Sequence, residues 1–311
     1  MYGNFWDNLK NAFTHSDNSL YKLIAINLLV FLFLLVLRVF LTIGGLGNIY
    51  SEGISFFMMP ASVGKFILQP WSALTYMFMH EGFFHILFNM LFLFWFGQLV
   101  HQFLGSRKLT NLYILGGLAG AAFYVLIYNI APYFRDAVDN SLMLGASAGV
   151  FAIVVGAATL SPNTTFFLIL IGPVKIKYIA IFYVIVSFAN TAGANAGGEL
   201  AHLGGALMGF IYVTQLRKGV DLGIPVQKVG LFFEDLFSGK KRGVKVTYRR
   251  AKSSGTSPKK ASKNVKPESK QTNPEEASQE EIDRILDKIA DRGYESLNKD
   301  EKRKLFEFSK K

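Results

Sequence analysis

Four polar residues stand in apolar surroundings at positions where chemistry could use them: His85, Asn89, Ser147 and His202. His85 and Asn89 are spaced i, i+4, so a helix places them on one face. Ser147 lies in Gly145-Ala146-Ser147-Ala148-Gly149, and His202 is followed by Gly205 and Gly209. This set suits acyl transfer. A Ser hydroxyl is a weak nucleophile until a neutral imidazole takes its proton, and Ser147 with His202 would form such a dyad. The tetrahedral oxyanion needs preorganised donors, which the Asn89 amide, the His85 ring and the Ser147 backbone N–H can supply. Ser147 would also open a helix, where free N–H groups and the dipole favour negative charge. Phe151 lies one turn further on the same face, placed to stack on the His202 ring.

These residues need elements to hold them, and the composition says what kind. Of 311 residues, 51% are hydrophobic and only 18% charged, against about 25% charged in an ordinary soluble domain. The expectation is an all-α membrane protein with six spans: about 21–43, 83–104, 109–130, 145–160, 174–188 and 200–216. Several are short and Gly-rich, which suits the inside of a bundle. Residues 44–81 are apolar in places but broken by Pro60, Gly64 and Pro70, so they read as a structured interfacial loop. Residues 1–20 lack a cleavable signal pattern. There is no Cys, which excludes disulfides, thiolate metal sites and thiol nucleophiles.

The net charge of +11 lies mostly after residue 216, in a run that includes Lys240, Lys241, Arg242, Arg249 and Arg250. Directly after a hydrophobic bundle, such a run reads as a cytoplasmic anchor facing anionic lipid headgroups rather than a nucleic-acid site. Both termini are then cytoplasmic, and spans two, four and six all begin near the outer leaflet. Each polar residue alone also has a packing explanation. Gly145–Gly149 and Gly205–Gly209 have Gly-xxx-Gly spacing, Ser147 can bond back to its own helix, and a lone His can bridge helices. Packing does not explain why Ser, Asn and two His gather at one depth, where buried polar groups are functional by default.

The domain expectation is an N-terminal segment 1–20, a catalytic bundle 21–217, a basic segment and disordered linker 218–277, and a C-terminal helical pair 278–311. In the pair, Ser278 with Glu281 and Asn298 with Glu301 have capping-box spacing. Ile282, Ile285, Leu286 and Ile289 form one apolar stripe, and Gly293 ends the first helix. Helices this short are marginal alone, and the mixed charge beside the stripe favours a protein partner over a lipid surface.

The chain resembles the rhomboid family of intramembrane serine proteases. The resemblance rests on His80 with His85-Ile86-Leu87-Phe88-Asn89, on Gly145-Ala146-Ser147, and on Ala201-His202-Leu203-Gly204-Gly205 with Gly209. It covers about residues 20–217 and implies a six-transmembrane bundle with a membrane-embedded first loop. It further implies Ser147 as nucleophile, His202 as general base, and His85 and Asn89 at the oxyanion site, with Gly145, Phe151 and Gly205 in support. Single-pass membrane helices would be the substrates, cut near their outer end without metal or cofactor, in a plasma (bacterial inner) membrane. One departure is Ala148, where the family's motif has Gly. The alternative is a related pseudoprotease that binds and routes membrane helices, but such proteins typically lack Ser or His of the dyad. A small transporter would instead place ionisable groups along a path across the bilayer.

Overall fold

The computed structural model describes residues 5–14, 18–168, 171–238, 282, 284–288 and 297–308, and the chain divides into two units, 1–244 and 245–311. The first unit is mostly helical. Helix α1 (Phe5–Lys10) precedes α2 (Ser19–Ile43), which exposes Leu29, Phe33, Phe40 and Ile43. Residues 44–81 carry α3 (Gly47–Ser55), the short strand β1 (Met59–Pro60), α4 (Val63–Leu68) and the single turn α5 (Ser72–Thr75). They are therefore structured, as their broken apolar pattern suggests.

Helix α6 (Phe83–Ile130) is continuous but for Gly105, whose φ of 77° and ψ of 171° fit only glycine. The chain folds back there. A Cβ built on Gly97 would lie 3.8 Å from Leu109 Cδ1, a separation impossible along a straight helix. The loop expected at 105–108 thus shrinks to one residue, because Gly105 alone makes the reversal and Ser106 already starts the next helix. Both α2 and α6 are long and apolar enough to cross a membrane by length and composition.

Strand β2 (Leu142–Met143) pairs with β1, with Met59 opposite Met143 and Pro60 opposite Leu142. Helix α7 (Ser147–Leu160) follows, then the hairpin β3 (Thr165–Leu168) and β4 (Gly172–Lys175), then α8 (Ile176–Ala189) and α9 (Ala196–Arg217). The fifth apolar run therefore starts as a strand and becomes helical only at Ile176. The sixth helix starts four residues before its expected first residue Leu200, because the Gly-rich stretch before it is already helical.

At about 1.5 Å per residue, the 14 residues of α7 span about 21 Å, well short of a bilayer core. Its surface is instead buried by α6 and α9. Small residues make this possible. A Cβ on Gly205 would fall 2.0 Å from the Ala148 carbonyl oxygen, and one on Gly209 would fall 2.4 Å from that of Ala152. On the opposite side, Cβ atoms on Gly116 and Gly120 would collide with the methyl groups of Ala152 and Ala148, at 2.2 and 2.5 Å.

Residues 224–238 form α10 (Ile224–Ser238), within the stretch 218–277 that the sequence marks as a basic segment and linker. Pro225 suits its first turn, and apolar Val229, Phe232 and Phe233 along it remain exposed.

In the second unit, Ile282 and Ile285 are buried with Leu297, and Leu305 packs on them. Leu286 is 49% exposed, so the expected stripe is narrower by that residue. Positions 285 and 286 flank 282 on opposite sides of one face, and it is the 285 side that packs against Leu297. Asn298 and Glu301 cap the helix Lys299–Phe308 reciprocally, each backbone N–H reaching the other's side chain at 2.8 Å. Lys288, 2.9 Å from both Glu301 oxygens, and then the Asn298 N–H hold that carboxyl below its ordinary pKa. The basic run 240–260, the linker 252–277, the Ser278–Glu281 cap, Ile289 and Gly293 lie outside the described residues.

The Gly120 contacts generate a test. Gly120→Ala drives a methyl into Ala148 Cβ and the Ala201 carbonyl, at 2.5 and 2.7 Å, and should destabilise the protein by about 1–3 kcal/mol. Adding Ala148→Gly removes one of the two collisions and should recover part of the loss. Thermal unfolding in detergent measures both; a Gly120→Ala midpoint equal to the parent's would contradict the packing described.

Candidate active site

Ser147 is the first residue of α7, and its position is set from outside the helix. The Gly145 N–H donates to the Tyr76 carbonyl at 2.9 Å, while the Tyr76 hydroxyl donates to the Gly117 carbonyl at 2.7 Å. The β1–β2 pairing holds the same approach two residues earlier. Gly145 has φ 137°, a conformation that side chains resist. A Cβ there would stand 3.1 Å from both Cε1 and Nε2 of His85 and 3.5 Å from Ser147 Oγ. Glycine is needed at this position for backbone and space alike.

His202 arrives from α9, drawn in by the Gly205 and Gly209 contacts with α7. Its Nε2 lies 2.8 Å from Ser147 Oγ, a normal hydrogen bond across 55 residues of sequence. The Phe151 ring lies flat on the imidazole, with centroids 4.2 Å apart and planes within 9°. With Nε2 unprotonated, the Ser147 hydroxyl donates to it, and the pair is set for proton transfer from serine to imidazole.

The pair opens on a cavity of about 710 Å³, which His85, Asn89, Ser147, Phe151, Tyr183 and His202 help to line. Asn89 donates one amide hydrogen to the His85 carbonyl at 2.8 Å, which leaves its second hydrogen for a ligand. His80 stands edge-on to the His85 ring at 5.1 Å, buried, with no hydrogen bond of standard geometry at either ring nitrogen. Ala148 is 1% exposed, and its methyl fills the space that Gly120 leaves open, not the cavity. The departure at this position is thus absorbed by a neighbouring helix.

Two neighbours of His202 escaped the sequence reading. Its Nδ1 lies 3.1 Å from Glu199 Oε2 and 3.1 Å from Ser187 Oγ. Glu199 is three residues before His202 on the same helix. With α9 expected to start at Leu200, Glu199 fell in a loop, and the i, i+3 spacing to His202 went unused. Ser187 was one hydroxyl in an apolar run, with no spacing to connect it to α9. His101 sits elsewhere, against Ser106 at 3.0 Å, and His15 lies outside the described residues.

Residues 68–219 match the Rhomboid domain family, and residues 270–311 match a family of unknown function, DUF6576. RHOMBOID-like protein 12, mitochondrial, of Arabidopsis thaliana is 31% identical over 156 residues, 47% of this chain and 46% of that protein. Rhomboid protein 1, mitochondrial, of Saccharomyces cerevisiae is 30% identical over 147 residues, 46% of this chain and 41% of that protein. Rhomboid-like protein 16, chloroplastic, of Arabidopsis thaliana is 29% identical over 153 residues, covering 46% and 48%. The chain spans about half the length of the curated relatives it matches.

The stacked ring gives the second test. Aromatic stacking contributes about 0.5–1.5 kcal/mol beyond burial, so Phe151→Leu should slow the reaction of Ser147 with a fluorophosphonate about 2–10-fold. An unchanged labelling rate would mean that the stack does not hold the imidazole.

Proposed function

The chain is a Rhomboid domain family protein, distantly homologous to rhomboid-like proteins of plants and yeast, and from that premise we propose that it is an intramembrane serine endopeptidase. The observation that carries this reading is the 2.8 Å contact between Ser147 Oγ and His202 Nε2 at a cavity walled by apolar helices. In this reading α2, the two halves of α6, α7, α8 and α9 are six membrane spans, and residues 44–81 are a loop embedded in the outer leaflet. The site then faces outward and both termini are cytoplasmic, in a plasma membrane such as the bacterial inner membrane. The exposed Phe, Leu and Ile of α2 and α8 support lipid contact, since water-soluble surfaces rarely carry apolar patches of this extent.

The chemistry follows from the geometry. Ser147 Oγ attacks the scissile carbonyl carbon as its proton passes to His202 Nε2. The carbonyl oxygen becomes an oxyanion, met by the free Asn89 amide hydrogen, the His85 ring and the Ser147 backbone N–H. Collapse breaks the C–N bond. The leaving amine takes the proton from Nε2, and the acyl group stays as an ester on Ser147. Water then attacks the ester with His202 as base, which releases the carboxylate and restores the serine. The substrate is a single-pass membrane helix, whose unwound outer end enters the cavity between apolar walls.

Incubating the detergent-purified chain with a panel of single-span substrates tests this. Ser147→Ala and His202→Ala should each abolish cleavage, because the two residues act as one unit. Asn89→Ala should lower kcat by about 10²–10³ with little change in KM, since its bond forms mainly in the transition state. Cleavage by Ser147→Ala at the parent's rate would sink the serine mechanism, and a pure KM effect at Asn89 would assign it to docking.

A further inference from the structure

We propose that Glu199 completes a Ser147–His202–Glu199 triad, with Ser187 as a second hydroxyl brace, so that this site is oriented by an acid and not by a dyad alone. The proposal rests on the protease reading above and adds a positioning residue to it. His202 uses both ring nitrogens. Nε2 faces Ser147 Oγ at 2.8 Å, and Nδ1 faces Glu199 Oε2 and Ser187 Oγ, each at 3.1 Å. A carboxylate only accepts, so Glu199 fixes the proton on Nδ1 and leaves Nε2 bare to accept from Ser147. Ser187 Oγ meets the same ring nitrogen from α8, so Nδ1 is held from two helices.

The acid is well placed for this role. Its side chain is only 17% exposed and that of His202 15%, so water weakens the pair little. Glu199 lies behind the imidazole and not among the residues that line the cavity, so a bound substrate leaves it in contact with His202. When Nε2 takes the serine proton, the ring becomes a cation, and the carboxylate on Nδ1 lowers the energy of that state. The charged or titratable groups that line the cavity with His202 from the other elements are His85 at the head of α6, with Glu81 just before it, Tyr128 near the end of α6, and Tyr183 on α8. Among the described residues, only Glu199 offers a carboxylate in hydrogen-bond contact with the ring.

The test uses the full chain in detergent and a fluorophosphonate, whose phosphorus Ser147 Oγ attacks as fluoride leaves and the proton moves to Nε2. Glu199→Gln can turn an amide N–H toward Nδ1 and so stabilise the wrong tautomer. It should lower the maximal labelling rate by tenfold to about 10³-fold, with little change in the reagent's half-saturating concentration. Glu199→Asp keeps the acceptor at a shorter reach and should recover most of that rate. Ser187→Ala should cost only about two- to tenfold, the share of one neutral hydrogen bond. Unfolding midpoints are measured alongside. A Glu199→Gln rate equal to the parent's overturns the triad, and so does a rate loss shared equally by Gln and Asp that tracks a lowered midpoint. If Glu199→Gln does not fold, Glu199→Asp decides: near-parental labelling supports the acid's role, and labelling like that of His202→Ala refutes it. A parent that labels no faster than Ser147→Ala overturns the protease reading and the triad together.

Discussion

Everything at the site depends on how closely α7 and α9 approach. Ser147 and His202 come from different helices, and their side chains meet at 2.8 Å where the two backbones nearly touch. Gly205 and Gly209 provide that approach, since a single methyl on either would fall within 2.4 Å of an α7 carbonyl oxygen. In an apolar medium no hydrophobic force drives one helix onto another, so close packing of small residues must do the work. The same approach buries α7 on nearly all sides, which is why a 14-residue helix can stand in a bundle of longer ones.

The second requirement is that an irregular segment be held firmly beside a serine. Residues 44–81 contain short helices and turns whose backbone groups need partners beyond a regular ladder. They find them on the long helices. Tyr76 bonds Gly117, Tyr113 bonds the Met77 carbonyl at 2.9 Å, and Asn129 bonds the Ala61 carbonyl at 2.8 Å. In the last two a side chain of α6 satisfies a backbone carbonyl of the irregular segment, and in the first a side chain of that segment anchors on the helix. The Tyr76 carbonyl then grips Gly145, two residues before the serine, so the irregular segment also fixes the entry to α7.

Much of this was legible in the sequence. His85 with Asn89, and Ser147 with Phe151, declare themselves by helical spacing, and the glycines after His202 mark a close contact. What spacing cannot show is which helices meet. The pairing of Gly120 with Ala148, and of Ser187 with His202, joins residues far apart in the chain through contacts that only packing creates. Glu199 was hidden for a smaller reason: a helix start misplaced by four residues moved it off the face it shares with His202. Leu286 and α10 show the limits of pattern in the other direction. A stripe of apolar residues need not all turn inward, and a basic stretch can begin as a helix when Pro225 and its apolar neighbours favour one.

The Gly120–Ala148 contact also constrains how this chain can vary over evolutionary time. Position 148 can lose its methyl and leave only a gap of that size, a modest penalty. Position 120 has no such freedom, because even with glycine opposite it a new methyl would still meet the Ala201 carbonyl at 2.7 Å. The residue beside the nucleophile therefore has room to shrink, while a glycine that touches no reacting group has no room to grow. Steric room, and not distance from the chemistry, decides which of these two positions tolerates a change.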